Sequence, residues 1–439
     1  MSEIIPVLLC LEAQLCLTTL RQWRQVVFAR LCKPGRATML GLSRWTEKGG
    51  SYRTIQRLYH TLINWCRVHW VLLQTHLLQT DRLYLLAGDE VVVSKAGKKT
   101  HGVGRFYSGL AQQVIPSVAF LTLSLIDVQD RRSYPLHTQQ LVPSTKGEAN
   151  TVTVPKRRRG RPKSGKNHVK PEPVLSPIRI LLHGMLATVL AAITALQVNH
   201  IVRDGKFGNY PSTWTVRQGD LHIISKMRHD AALYWSYSGD KPRRGPTPRY
   251  GDKINDAQLP ENCLVSSHIE ADYRLVIYQM QAYHKDYPDL LNVVILVKTH
   301  LVTGKHGHVV LFSTNLDLSA EQIVDFYRLR FQIEFNFRHA KQYWGLEDFM
   351  NQSETAVTNA GNLALLMLNL AQFMLKPYRD DDPHCSVLDL KAQFRARRYL
   401  SETIKMLPET PEPDLISRIW QRLSRFGGIR TRPIHDFAA

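Results

Sequence analysis

Apolar positions recur along this chain in two periods, and the change from one to the other divides it. Over residues 1 to about 80 the spacing is helical with no strand-like alternation, and the stretch is rich in Arg, Trp and His, among them Arg21, Trp23, Arg24, Arg30, Arg53, Arg57, Trp65 and Arg67. A small helical module is expected there. From Leu83 the pattern turns to short apolar runs, Leu83 to Ser94 and Val114 to Val128, which read as strands. Periodicity disappears between Pro143 and Pro177, where Lys156-Arg-Arg-Arg-Gly-Arg-Pro-Lys-Ser-Gly-Lys166 carries no acid, so this segment reads as a linker. A helix over about Ile178 to Leu196 and a strand over Gln197 to Arg203 follow, ending at Asp204-Gly205, where glycine lets the chain turn and leaves the carboxylate at the strand's end.

Leu221 to Met227 reads as another strand, and Tyr273 to Gln279, Leu291 to Thr299 and His308 to Ser313 alternate with Gly- and Pro-rich turns. Ser319-Ala-Glu-Gln322 is a capping box that opens one helix running to Trp344, closed by Gly345. Beyond it the chain is mostly helical, with Leu363 to Leu375 apolar on nearly every face and Leu415 to Leu423 amphipathic. The predicted organisation is a helical module over 1–80, the first part of an α/β core over 81–228, a β-rich insertion over 229–315, the second part of the core over 316–350 and a helical region over 351–439.

With 439 residues and 44% hydrophobic content the chain is long enough for two or three domains with a substantial core. Its 57 Lys and Arg against 37 Asp and Glu leave a net charge of +20, which favours a polyanionic partner through counterion release and long-range steering. Charge alone fits any basic protein; its placement has to decide. Six scattered cysteines without a Cys-x-x-Cys pair indicate neither a zinc site nor a disulfide framework, and a reducing cytoplasm fits. The apolar N-terminal stretch carries Glu3 and Glu12 and lacks a basic leader, which argues against a secretion signal. Arg179, His183, Asn199 and His200 break the run from Ile178 to Val202, so it reads as a buried helix and strand rather than a membrane span.

The most specific chemistry lies on the Ser319–Trp344 helix. Tyr327, Arg330, Glu334 and Lys341 recur at offsets of three, seven and fourteen, which at about 100° per residue places them within one sector of about 60°. One face then presents a phenol, a guanidinium, a carboxylate and an ammonium, with cations that hold phosphate oxygens and keep the carboxylate ionised to bind a metal. Ile323, Phe326, Phe331, Ile333, Phe335 and Phe337 occupy much of the rest of the surface and are expected to pack it tightly. A surface helix with ordinary charge pairs would show any one of these residues.

The spacing Tyr327-x2-Arg330-x3-Glu334-x6-Lys341 resembles, position by position, the Tyr-Arg-Glu-Lys signature of bacterial insertion-sequence transposases, the branch called insertion-sequence family four. The resemblance covers about residues 83 to 375. It implies an α/β fold with an RNase H-like mixed sheet flanked by helices and interrupted by a β-rich insertion, and a catalytic set of two aspartates and one glutamate. Asp89 in Leu86-Ala-Gly-Asp-Glu-Val-Val-Val-Ser-Lys95 and Asp204 in Ile201-Val-Arg-Asp-Gly-Lys-Phe207 resemble the family's two aspartate motifs. The 130 residues from Asp204 to Glu334 exceed a bare core and match the family's insertion. The resemblance further implies Asp89, Asp204 and Glu334 as catalytic and metal-binding residues, two Mg²⁺ ions with Mn²⁺ able to substitute, cut-and-paste transposition on terminal inverted repeats and target DNA, a homodimer on DNA, and a bacterial, nucleoid-associated location.

Several other residues carry expectations. Arg159-Gly-Arg161-Pro162 resembles an AT-hook, with Arg159 and Arg161 as DNA contacts, though a polybasic tether has the same composition. Ser51 to Arg57 is a candidate start of a recognition helix, or else part of a helical cap whose tryptophans are core. Trp214, Trp235 and Trp344 could stack on an extruded base, or pack in the core. Glu90 points to the strand face opposite Asp89 and is expected outside its cluster. Asp380-Asp-Asp382 beside Pro383 reads as a solvated loop rather than a metal site. A silenced DNA-binding derivative of a transposase and a cellular RNase H-like nuclease are the alternative readings.

Overall fold

A computed structural model describes residues 4–143, 172–240, 245–255 and 258–423. The chain opens with helices α1 (Ile4–Leu9), α2 (Leu17–Cys32), α3 (Met39–Ser43), α4 (Tyr52–His60) and α5 (Trp65–His76). Strands β1 (Tyr84–Ser94), β2 (Gly104–Ser108), β3 (Gln113–Asp127) and β4 (Arg132–Leu141) follow. Helix α6 (Pro177–Ala192) leads to β5 (His200–Arg203), and α7 (Tyr210–Arg217) leads to β6 (His222–Lys226). Next come β7 (Leu233–Ser236), β8 (Tyr250–Lys253), β9 (Leu264–Glu270), β10 (Tyr273–His284), β11 (Leu291–His300) and β12 (His306–Ser313). The chain then forms α8 (Ala320–Leu329), α9 (Phe331–Trp344), α10 (Glu354–Asp381), α11 (Val387–Ile404) and α12 (Pro413–Leu423).

The described strands join in one mixed sheet. Its first half is the RNase H-like arrangement: β4, β3 and β1 run antiparallel, and β5 and then β6 add in parallel beside β1. Parallel neighbours need crossovers, which α6 and α7 supply. The strands of the β-rich segment extend the same sheet, because β12 pairs antiparallel with β6 and passes the ladder to β11 and β10.

Both faces of this sheet are covered, which is why its central strands read as unbroken apolar runs. On one face Leu85, Ala87, Val91 and Val93 of β1 share a core with Trp23, Ile323, Trp344 and Leu365. On the other, Leu86 packs with Leu121, Met185 and Ile201. Helices α1–α5 contribute to the first core directly, and Trp23 and Trp65 stack there with ring centroids 5.3 Å apart. The N-terminal tryptophans are therefore core residues, while Arg53 and Arg57 of α4 stay exposed.

Three expectations need correction. The helix opened by the Ser319–Gln322 capping box does not run unbroken to Trp344: it is interrupted at Arg330. Arg330 N–H donates to Tyr327 O at 3.2 Å and Ile333 N–H to Arg330 O at 3.1 Å. These bonds span three residues, so the chain tightens there by one turn. The aromatic packing is also looser than expected, since Ile323, Phe326, Ile333 and Phe337 are buried but Phe331 and Phe335 are 52% and 40% exposed. Finally, Asp380 and Asp381 are the last residues of α10, which continues past Pro377, and Asp382 is its C-cap. No helix among the described residues is long and apolar enough to cross a membrane.

Candidate functional site

β1 and β5 set the position of the two aspartates. Their parallel register pairs Gly88 with Arg203, so the following residues, Asp89 and Asp204, emerge side by side where β5 ends. Asp204 leaves the strand as the residue before a single 3₁₀ turn, and its carbonyl accepts a hydrogen bond from Ser225 Oγ of β6 at 3.1 Å. By alternation Asp89 shares the face of Ala87 and Val91, the side covered by α8 and α9.

Helix α9 brings the third carboxylate. Asp89, Asp204 and Glu334 line one cleft of about 520 Å³, together with Glu90, Tyr107, Lys206, Arg338 and Lys341. Arg330 lies behind this cleft with only 6% of its surface exposed. Its Nη1 donates to Asp89 Oδ2 at 3.2 Å and its Nη2 pairs with Glu334 Oε1 at 3.0 Å, so one guanidinium ties two of the three carboxylates. Lys341 Nζ donates to Val92 O at 2.8 Å and pairs with Glu347 at 3.0 Å, which pins α9 to β1.

The electrostatics follow from burial. Burial pushes the Asp89 carboxyl above the usual aspartate range, outweighing the backbone N–H of Glu90, Arg330 and Arg203 that pull it down. Burial likewise raises the Tyr327 phenol. That ring stands 5.9 Å from the Arg330 guanidinium and borders a separate groove, formed by Leu275, Leu296, Lys298, Val309 and Arg328. The four residues of the Tyr-Arg-Glu-Lys spacing thus divide: Glu334 and Lys341 line the cleft, Arg330 lies behind it, and Tyr327 reaches the neighbouring groove. The tightened turn at Arg330 and the burial of its guanidinium separate what an ideal helix would place on one face.

Three carboxylates without sulfur or imidazole form a donor set suited to a hard divalent cation. No group of three or more Asp, Glu, His or Cys among the described residues is already spaced as metal ligands. The Arg330 guanidinium stands between Asp89 and Glu334. It supplies the positive charge there, and a cation bound by all three acids would take over part of its role.

Glu90 lines the same cleft despite facing the other side of β1, at the point where β5 has ended beside it; its carboxylate pairs with Lys206 at 2.9 Å. Its expected exclusion from the neighbourhood is corrected accordingly. Lys206, Arg338 and Arg203 were not singled out from the sequence, although two cations within two residues of Asp204 were a visible signal. Trp344 is fully buried, with Lys391 Nζ 4.8 Å from its ring, so it belongs to the core; Trp214 and Trp235 are half-buried. Arg159 and Arg161 lie outside the described residues.

Two central parallel strands of a mixed sheet and one covering helix thus deliver three carboxylates to one cleft. Residues 10–282 match the DDE superfamily endonuclease family, and the chain belongs to it. That match contains Asp89 and Asp204 and ends before Glu334. Among solved structures the chain is similar to a piggyBac transposase, seen by cryo-electron microscopy as a synaptic complex with hairpin DNA. The TM-score is 0.35 at 12% identity, over 77% of this chain and 57% of that one. The chain therefore spans little more than half the length of that transposase. No curated protein matches the chain.

Proposed function

We propose that this protein is a DNA transposase of the insertion-sequence type, which cleaves the ends of its element and joins them to target DNA. The observation that carries the reading is the convergence of Asp89, Asp204 and Glu334 on one cleft, with Arg330 bonded to two of them. The Tyr327–Arg330–Glu334–Lys341 spacing supports the assignment to insertion-sequence family four, and the net charge of +20 supports DNA as the substrate.

In this reading Asp89, Asp204 and Glu334 hold two Mg²⁺ ions, with Mn²⁺ able to substitute. Such ions would supply Lewis-acid chemistry at the scissile phosphate, with the three carboxylates holding them there. Arg330 orients Asp89 and Glu334 and offsets their mutual repulsion until a cation arrives. Lys341, Lys206 and Arg338 place positive charge along the cleft walls where phosphodiester oxygens lie, and Tyr327 steadies Arg330. The exposed Arg53 and Arg57 of α4 give duplex contacts, and the Arg159-Gly-Arg161-Pro162 motif adds two further arginines as DNA contacts. Terminal inverted repeats and target DNA are the partners, engaged by a homodimer.

Incubation of the purified protein with Mg²⁺ or Mn²⁺ and DNA carrying the element's flanking repeats tests this. Repeat-dependent nicking is expected, and Glu334→Gln abolishes it while binding to the same DNA stays nearly unchanged. Binding without nicking by the unaltered protein would reduce it to a silent DNA-binding derivative. Nicking without dependence on the repeats would make it a general nuclease.

A further inference from the structure

Arg203 closes β5 one residue before Asp204, yet it does not join the carboxylates that line the cleft. Its register partner is Gly88, and the guanidinium lies over that glycine: a Cβ on Gly88 would touch Arg203 Cζ at 3.5 Å. The side chain is fully buried and lies flat on Phe207, 3.6 Å from the ring centroid. Nε, Nη1 and Nη2 find no hydrogen-bond partner among the described residues. Buried polar groups are nearly always satisfied, and an unpaired buried charge is costlier still. Asp89 and Glu90 are the carboxylates whose charge acts on it most, and Asp89 is already bonded to Arg330. Glu90 follows Gly88 by two positions on the same face, but pairs at 2.9 Å with Lys206, whose ammonium stands 5.6 Å from the same Phe207 ring. Lys206 itself is 62% exposed and lines the cleft.

We propose that Glu90 exchanges partners: it holds Lys206 while the cleft is empty, and turns to Arg203 when a phosphodiester draws Lys206 away. Arg203 is then a positioning residue. The new pair clamps β1 to β5 through the residue next to Asp89 and the residue next to Asp204, so occupancy of the cleft tightens the aspartate pair. The inference rests on the reading that DNA occupies this cleft, but the exchange itself can be measured without DNA.

In the free protein Lys206→Met removes the competing ammonium and leaves Glu90 to Arg203. Adding Glu90→Gln to that background is expected to lower Tm by about 2 °C or more, as loss of a buried charge pair does. An unchanged or higher Tm means Glu90 found no second partner and overturns the proposal. With DNA, Kd for a fluorescein-labelled duplex is measured by anisotropy. Arg203→Met, which keeps the stacking on Phe207, is expected to weaken binding about tenfold by stranding Glu90, and by less than twofold when Glu90→Gln is also present. A merely structural or long-range charge role would give the same loss in both backgrounds, which also overturns the exchange. No binding by the unaltered protein would instead overturn the DNA reading, with the Tm result standing separately.

Discussion

Arg330 directs its donors at acids that oppose one another in the absence of a cation. Arg330→Ala leaves the half-buried Asp89 without its ion pair and is expected to destabilise the fold by roughly 1–3 kcal/mol, below fully buried-pair losses because Asp89 and Glu334 are both partly exposed. Mg²⁺ or Mn²⁺ should raise the Tm of this variant more than that of the unaltered protein, since a divalent ion replaces the missing charge. Equal metal effects in thermal denaturation would remove Arg330 from the cation's neighbourhood. Asp89 carries a second expectation. Its folded pKa lies above its unfolded value, so the folded state takes up the proton first as pH falls. In the metal-free protein the Asp89 carboxyl should therefore titrate above the ordinary aspartate range when followed by carboxyl NMR, whereas an ordinary aspartate midpoint would contradict the role of burial here.

Helix ends and helix contacts carry the next expectations. Gly345 terminates α9 at φ +73°, and a Cβ there would lie 2.5 Å from Ala37 Cβ. Gly345→Ala should cost about 1–2 kcal/mol from the left-handed backbone alone, plus the displacement of the 37–38 segment, and a denaturant midpoint checks it. Where α11 crosses α2 and α9, Lys391 Nζ donates to Arg30 O at 2.7 Å and Tyr343 O at 3.1 Å, and burial draws its pKa down to about 7. The folded state thus releases this proton from about pH 7 upward, while the unfolded chain keeps it until near its ordinary value of 10.5. The unfolded state binds more protons in that window, so stability rises with pH across it. Lys391→Met should flatten that rise in chemical denaturation curves taken from neutral to alkaline pH; an unaltered slope would assign the rise to another group.

On the scale of the whole molecule the net positive charge sets the terms of DNA binding. Replacing Arg159 and Arg161 together by Ala should lower the slope of log Kd against log salt by about two, one for each phosphate no longer neutralised. An unaffected slope would leave that segment as a spacer.

Much of this protein was legible locally. The capping box at Ser319 and Gln322, the stop at Gly345, the strand through Asp89 and the turn after Arg203 all follow from backbone preferences and side-chain periods that act over a few residues. Convergence was not. Asp89 and Asp204 are 115 residues apart, and only the parallel pairing of Gly88 with Arg203 sets them side by side. The resemblance named Glu334, while packing of α9 against β1 decided that it would share their cleft and that Tyr327 would not. The burial of Arg203 and its proximity to Glu90 and Lys206 were equally invisible, because alternation along a strand gives the face of a side chain but not which charges from other strands meet it there. Periodicity is a property of neighbours in sequence; an electrostatic site is a property of neighbours in space.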